Sequence, residues 1–247
     1  MVLKAKYLFN TGSGSTLVDG SGNGIDASYN GVGDALGWSS DVPKYGGAYS
    51  YNFSGAANDS FEVNFANWEG DFTLVLWVKY DGNGGTIALS TGDGGEDSIQ
   101  IQIVSDNWII QSKAGGVTKN YIIGAVEQDT WQHLSITHDS SESKLITYLN
   151  YNNYTEHTTN DEEFGFSRYK IGKNRNGATL FTGKLDSIWF YNEIISDQDI
   201  CNIYAYNDPS SYTLSDCISH IVDEETEAFK HTMIHKIASV AKAKAQK

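Results

Sequence analysis

The 247 residues of this chain predict an all-β protein: an antiparallel, two-sheet β-sandwich of the jelly-roll type, with a C-terminal amphipathic α-helix. Three observations carry this expectation. Short runs rich in aromatic and β-branched residues alternate in polarity, clusters of Gly, Asn, Asp and Ser separate them, and no long helical period interrupts them before about residue 192. About ten such runs at close spacing need a closed or two-layered sheet to bury their apolar faces, and the scarcity of intervening helices argues for antiparallel pairing.

Strands are predicted at 5–9, 48–53 and 61–65. In 71–80, Phe72, Leu74, Leu76 and Val78 share one face while Val75 and Trp77 make the other partly apolar, the pattern of a central strand. Ile99, Ile101 and Ile103 alternate with Gln100 and Gln102, which places one face on a core and the other in water. Further strands fall at 108–111, 133–137, 145–150, 169–172 and 182–191. Ser196 followed by Asp199 reads as a capping box, and Ile200, Ile203 and Tyr204 have the spacing of a short helix that closes the domain.

After a polar loop at 207–211, Thr213 and Asp216 open a second helical segment. There Leu214, Ile218, Val222, Phe229, Met233, Ile237 and Val240 recur at three- or four-residue steps, acidic residues come first, and Lys230, Lys236, Lys242 and Lys244 follow. The mean step, about 3.7 residues, departs from a strict heptad and disfavours a long left-handed coiled coil. The expected division is a sandwich at 1–207 and a helical appendage at 208–247 that docks on a surface or joins subunits.

Thirty-one acidic against seventeen basic side chains give a formal net charge of −14, which opposes sequence-independent nucleic-acid binding and attraction to anionic membranes. Hydrophobic residues at 40% and aromatics at 13% are too abundant for a disordered acidic chain. No run approaches the roughly 20 apolar residues of a membrane-spanning helix, and the first residues lack the pattern of a secretory leader. Synthesis in a cytoplasm is the expectation. Cys201 and Cys217 have no metal-ligand spacing and read as reduced thiols.

The order of motifs resembles the laminin G-like branch of the concanavalin A-like lectin/glucanase superfamily. The carrying residues are Tyr7-Leu8-Phe9-Asn10, Asp19-Gly20-Ser21-Gly22-Asn23-Gly24, Tyr51-Asn52-Phe53-Ser54-Gly55, and the strand from Phe72 to Lys79. Trp131-Gln132-His133-Leu134, Tyr148-Leu149-Asn150, Ile171-Gly172 and the block from Phe181 to Asn192 complete the set, which covers about residues 5 to 207. One departure is that the family usually has Gly after the residue corresponding to Asn150, whereas Tyr151-Asn152-Asn153-Tyr154 follows here.

The resemblance implies a structural Ca2+ between the early turn and a late aspartate, with Asp19, Asn23 and Asp186 as ligands. The turn also offers carboxylate, amide and flexible backbone oxygens suited to a hard cation, with plain turn hydrogen bonding as the other reading. Asp186 shares strand parity with Ile188 and Phe190, which points its carboxylate toward an apolar face, although Leu185 and Trp189 make the opposite face apolar too. The acidic stretches at 81–85 and 93–97 read as solvated hairpin loops, with a ligand-side calcium site as the other reading, and 161–163 reads as solvated surface.

The superfamily's glucanases carry closely spaced acids on one strand face. This chain has no such strand, and His133 and His138 fall on opposite faces. A non-enzymatic role is therefore expected. Sugar recognition needs aromatic faces and amides, which the turn of Tyr151, Asn152, Asn153 and Tyr154 combines and the loop of Asn174 and Arg175 supplements. The functional expectation is a non-catalytic glycan- or surface-binding adhesion module, set as an appendage or decoration subunit on a phage or virus particle, or otherwise extracellular. Its partners would be a glycan or glycosylated surface and, through the C-terminal helix, a protein or a second copy. A purely structural assembly protein and a glycoside hydrolase are the alternatives.

Overall fold

The computed structural model describes residues 2–31, 36–44, 47–56, 58–68, 70–84, 86–91, 98–114, 117–151, 153–159, 166–174 and 180–206. Among the described residues sixteen strands form two antiparallel sheets. The first contains β1 (Leu3–Tyr7), β4 (Trp38–Ser39), β5 (Ser50–Ser54), β7 (Phe72–Tyr80), β12 (Gln132–Asp139), β13 (Lys144–Leu149), β14 (Asn153–Thr158) and β16 (Thr182–Tyr191). Its order is β14-β13-β12-β7-β16-β5-β4, and β1 pairs with the far half of β16.

The second contains β2 (Thr16–Leu17), β3 (Ala27–Tyr29), β6 (Phe61–Trp68), β8 (Ile87–Thr91), β9 (Ser98–Val104), β10 (Asn107–Ala114), β11 (Val117–Ala125) and β15 (Phe166–Ile171). Its order is β11-β10-β9-β8-β15-β6-β3-β2. The ten expected strands are present. Six others (β2, β3, β4, β8, β11 and β14) are short, polar or Gly-flanked, so they lack an apolar alternation strong enough to stand out.

The core lies between the sheets. Phe72, Leu74, Leu76 and Val78 of β7 meet Phe61 and Val63 of β6, Ile99 and Ile101 of β9, and Trp108 and Ile110 of β10 in one buried cluster. Edge-on aromatic contacts knit it together, with Tyr51 and Phe61 at 4.9 Å and Tyr51 and Phe53 at 4.8 Å between ring centroids. Trp108 donates its indole N–H to Gln132 Oε1 at 2.8 Å, and Gln132 also accepts from Glu127 N and donates to Ala125 O. The polar handle of a fully buried tryptophan is thereby satisfied.

β7 is central, as its two apolar faces imply: every residue from Phe72 to Val78 is buried. The register of β16 against β7 shifts between Asp186 and Trp189, where Ser187 takes φ 52°. This bulge inserts a residue and reverses the alternation of faces. Leu185 and Ile188 both join the core, whereas Asp186 stands opposite Trp77 on the outer face with Lys184 and Trp189. The expected parity of Asp186 with Ile188 and Phe190 is thus corrected.

The chain divides into two units, one from Met1 to Ser196 and one from Asp197 onward. Of the second, α1 (Asp197–Tyr206) is described; it begins directly after Ser196, and Ile200, Cys201 and Ile203 are buried. The amphipathic segment at 208–247 lies outside the described residues. Cys201 is disulfide-bonded, which corrects the expectation of reduced thiols, and Cys217 is the one other cysteine in the sequence. No helix among the described residues is long and apolar enough to cross a membrane.

Candidate functional site

Strand alternation builds a cleft on the outer face of the second sheet. Phe61 and Val63 turn into the core, so Glu62 and Asn64 face outward; Ala27 and Ser28 divide in the same way on β3. Pairing of Ser28 with Glu62 brings the two outward sets together. The resulting cleft, about 420 Å³, is lined by Asp26, Ser28, Asn30, Glu62 and Asn64, with Tyr29 at one wall. Two carboxylates, a hydroxyl and two amides therefore converge on one concavity, a set suited to hydroxyl recognition.

The lining is held in place. Glu62 Oε1 accepts from Asn30 Nδ2 at 3.2 Å and pairs with the ammonium of nearly buried Lys173 at 2.7 Å. Arg168 Nε donates to Asn64 Oδ1 at 2.9 Å. The ring of Tyr29 packs on Phe61, and its hydroxyl lies 3.4 Å from Asp59 Oδ1. Asp59 in turn accepts from Tyr51 Oη, Ser54 N and Ser54 Oγ at 2.6 to 2.9 Å, which anchors the β5–β6 turn beneath that wall.

A family model described as the concanavalin A-like lectin/glucanases superfamily matches residues 53–201. This chain belongs to that superfamily. The matched span runs from β5 to the helix, so it contains Glu62 and Asn64 as well as Asp186. A comparison of the sequence with curated proteins gives no match.

Among solved structures, the botulinum neurotoxin serotype G binding domain superposes with a TM-score of 0.64 at 13% identity, over 81% of this chain and 50% of that one. Domain 4 of AbnA, a GH43 extracellular arabinanase from Geobacillus stearothermophilus solved with arabinotriose, gives 0.61 at 16% identity over 83% of this chain and 98% of that one. Trypanosoma rangeli sialidase in complex with the inhibitor DANA gives 0.57 at 17% identity, over 83% of this chain and 33% of that one. At these identities the likeness is one of fold, and the chain spans about half of the toxin domain and a third of the sialidase.

Within this concanavalin A-like sandwich, the residues expected to hold Ca2+ fall into two separate environments. Asp19 Oδ1 accepts from Lys6 N and Ser21 N at 2.9 and 2.8 Å, and Oδ2 from Ser21 Oγ and Ile25 N at 2.7 and 3.1 Å. Four donors use the roughly four acceptor positions of a carboxylate. They outweigh the opposing effect of burial and hold the Asp19 carboxyl below the usual carboxylate range. Asn23 turns its amide N–H groups to Leu3 O, Lys4 O and Ser21 Oγ. These hydrogen bonds staple the turn.

Asp186 differs. It is fully buried, and its contacts are longer: Ser187 Oγ at 3.1 Å and Gly47 N at 3.3 Å. Burial pushes its carboxyl up to about 7, against the smaller opposing effect of those hydrogen bonds. Gly47 also lies against two further oxygens, since a Cβ there would stand 1.9 Å from Asn10 Oδ1 and 3.0 Å from Leu8 O. Asn10 Oδ1 accepts from Ala48 N at 2.8 Å, and the donor that reaches the Asp186 carboxyl from this segment is Gly47 N. Among the described residues there is no group of three or more His, Cys, Asp or Glu placed to hold a metal.

The expected ligand turn is only partly surface. Asn150 and Tyr151 take φ 50° and 61°, so the chain reverses without the family's glycine. Asn150 secures the reversal by exchanging hydrogen bonds with His133, Oδ1 accepting from His133 N and Asn150 N donating to His133 O, both at 2.8 Å. Tyr151 is buried and lies parallel to Tyr148 at 6.1 Å, which corrects its expected role as an open stacking face. Tyr154 is 38% exposed and packs edge-on against Tyr148. Asn174 is half-buried. Asn152 and Arg175 lie outside the described residues, as do the acidic stretches at 93–97 and 161–163.

His133 is fully buried beside Trp77 and His138 stacks on Phe72, on opposite faces of β12. Burial drives the His133 ring down to about 3, so it is neutral at physiological pH. The cleft was missed by sequence reasoning because β3 is three residues long. The alternation Phe61, Glu62, Val63, Asn64 was visible, but its pairing with residues thirty-odd positions earlier was not.

Proposed function

We propose that this chain is a non-catalytic glycan-binding module of the concanavalin A-like superfamily, acting in adhesion, which takes a neutral sugar in the cleft between β3 and β6. The observation that carries the reading is the convergence of Asp26, Ser28, Asn30, Glu62 and Asn64 on one cleft, where carboxylate, hydroxyl and amide groups match vicinal hydroxyls. The toxin and arabinanase domains named above support a binding role by analogy of fold.

Two considerations favour binding over hydrolysis. Glycoside cleavage needs a carboxylic acid that stays protonated within reach of the scissile bond. Among the described residues the carboxyl held up to about 7 is that of Asp186, which is buried away from the cleft lining, while Glu62 is engaged by Lys173 and Asn30 and Asp26 accepts from Asp19 N. The disulfide at Cys201 supports residence outside a reducing cytoplasm, on a particle surface or in the extracellular space. Within this reading Ca2+ is a structural ion for which Asp186 supplies the buried carboxylate.

Isothermal titration with neutral mono- and oligosaccharides tests the function, using the full chain with and without calcium. The expected outcome is saturable binding that Asn64→Ala and Asn30→Ala each weaken at least tenfold, with no new reducing ends after prolonged incubation. Absence of binding at millimolar sugar, or release of reducing ends, would overturn it.

A further inference from the structure

Three side chains meet at the start of β6. Tyr29 on β3 and Ile171 on β15 both stand opposite Phe61, one on each side of β6. Both neighbours run antiparallel to β6, so Asn30 and Lys173, just beyond those pairs, pass the start of that strand on its two flanks. Asn30 N donates to Ser60 O at 2.8 Å and Lys173 O accepts from Ser90 Oγ at 2.9 Å, which fixes the main chain at both positions. Glu62 lies between the two side chains: its Oε1 is 2.7 Å from Lys173 Nζ and 3.2 Å from Asn30 Nδ2.

The arrangement is more than an ion pair. One carboxylate oxygen touches a primary amine group on one side and a primary carboxamide on the other, and the lysine side chain is 5% exposed. Burying an ammonium is costly, and a salt bridge has no need of a carboxamide at its acceptor. A nucleophile, an electrophile and a proton carrier in contact with both nitrogens are, by contrast, the full set of reactants for an amide exchange. Lysine is the basic residue that can serve, because it yields a neutral amine where arginine stays charged.

We propose that Lys173 and Asn30 are joined by an intramolecular amide (isopeptide) bond that the folded chain makes itself, with Glu62 as the acid–base catalyst. The Lys173 ammonium passes a proton to Glu62, and the freed amine attacks Asn30 Cγ, so a Cγ–Nζ bond forms while the carbonyl pair moves onto Oδ1. Glu62 gives its proton to Nδ2 and takes a proton from Nζ. The pair on Oδ1 then re-forms the carbonyl, the Cγ–Nδ2 bond breaks, and ammonia leaves. No oxidant, cofactor or second protein enters the balance. Folding supplies the drive by holding the reactants on neighbouring strands at high effective concentration, and Glu62 carries protons between the two nitrogens.

The product is still an amide, so the cleft keeps an acceptor and a donor at Asn30. The new bond ties the end of β3 to the segment after β15 across β6. Most of the sandwich lies between the two residues in sequence, so the link closes a long loop and restrains the unfolded chain as a disulfide would. This bond does not depend on the glycan reading of the cleft.

The intact mass of the full chain, unfolded and reduced, tests the proposal. It should fall below the sequence mass by one ammonia, and tandem mass spectrometry of a digest should find the peptide of Asn30 joined to that of Lys173. Lys173→Arg and Glu62→Gln should each show the full mass of their own sequences. Gly31 follows Asn30, and cyclisation of an asparagine on its own backbone also expels ammonia, so a loss that persists in Lys173→Arg overturns the proposal. Full mass in the folded protein after prolonged incubation overturns it too. Should a variant fail to fold, the digest of the unmodified protein decides alone: absence of the joined peptide refutes the bond.

Discussion

Asp186 is the group at which pH acts most directly on this fold. Its folded value is about 7 against an ordinary 3.8, with burial as the main cause. Below about 4 both folded and unfolded chains hold the proton, and the group contributes no pH dependence. Between 3.8 and 7 the unfolded chain releases the proton while the folded one retains it, so stability falls as pH rises. The slope is about 1.4 kcal/mol per pH unit, and the whole loss is about 4 kcal/mol above neutrality. Asp186→Asn keeps the side-chain volume and abolishes the titration.

Urea unfolding in chelator at pH 5, 6.5 and 8 measures this. The stability of the Asn variant relative to the unmodified protein should increase by about 3 kcal/mol from the lowest to the highest pH, because the ionised buried carboxylate is present in one and absent in the other. Parallel pH profiles for the two proteins would refute the reasoning. Calcium supplies a second arm: at pH 8 it should raise the unmodified protein's midpoint and leave Asp186→Asn unchanged. An equal response of both proteins removes Asp186 from the cation site.

Other outcomes follow from particular contacts. Asp19→Ala removes the two oxygens that accept four hydrogen bonds in a turn and should cost about 2 kcal/mol with or without calcium; a loss confined to calcium-loaded protein would make Asp19 a cation ligand. Gln132→Leu strands the Trp108 indole N–H and the Glu127 amide and should cost about 3 kcal/mol by urea unfolding, whereas a cost under about 1 kcal/mol would mean that other acceptors replace it. Thiol titration of the denatured protein should find no free thiol before reduction and two after, matching the two cysteines of the sequence; two thiols from the outset would contradict the disulfide at Cys201.

Much of the sandwich was legible because its central strands carry the two-residue period strongly. Phe72 to Val78, apolar on both faces, announced a strand with neighbours on either side, and it lies between β12 and β16. Ser196 with Ile200 and Ile203 located α1 almost to the residue. The short strands escaped because two or three residues carry no period, and β3, which forms half of the cleft, is one of them. Tyr151 was expected at the surface because it follows a turn residue, yet the left-handed backbone at Asn150 and Tyr151 folds its ring back beside Tyr148.

The sequence by itself determined which side chains are apolar and at what interval, and with them the all-β class, the antiparallel layers and the superfamily. Those properties depend on neighbours a few positions apart, where alternation and turn chemistry act. Tertiary structure alone decided which polar residues meet. Glu62 reaches Ser28 and Lys173 only through strand pairing, and it meets Asn30 and Lys173 together only because the registers on both sides of β6 agree. At Asp186 a single extra residue, Ser187 with its positive φ, moved a carboxylate to the other face of the sheet. A period of two carries no record of such an insertion, because the bulge is selected by hydrogen bonding to strands distant in the chain.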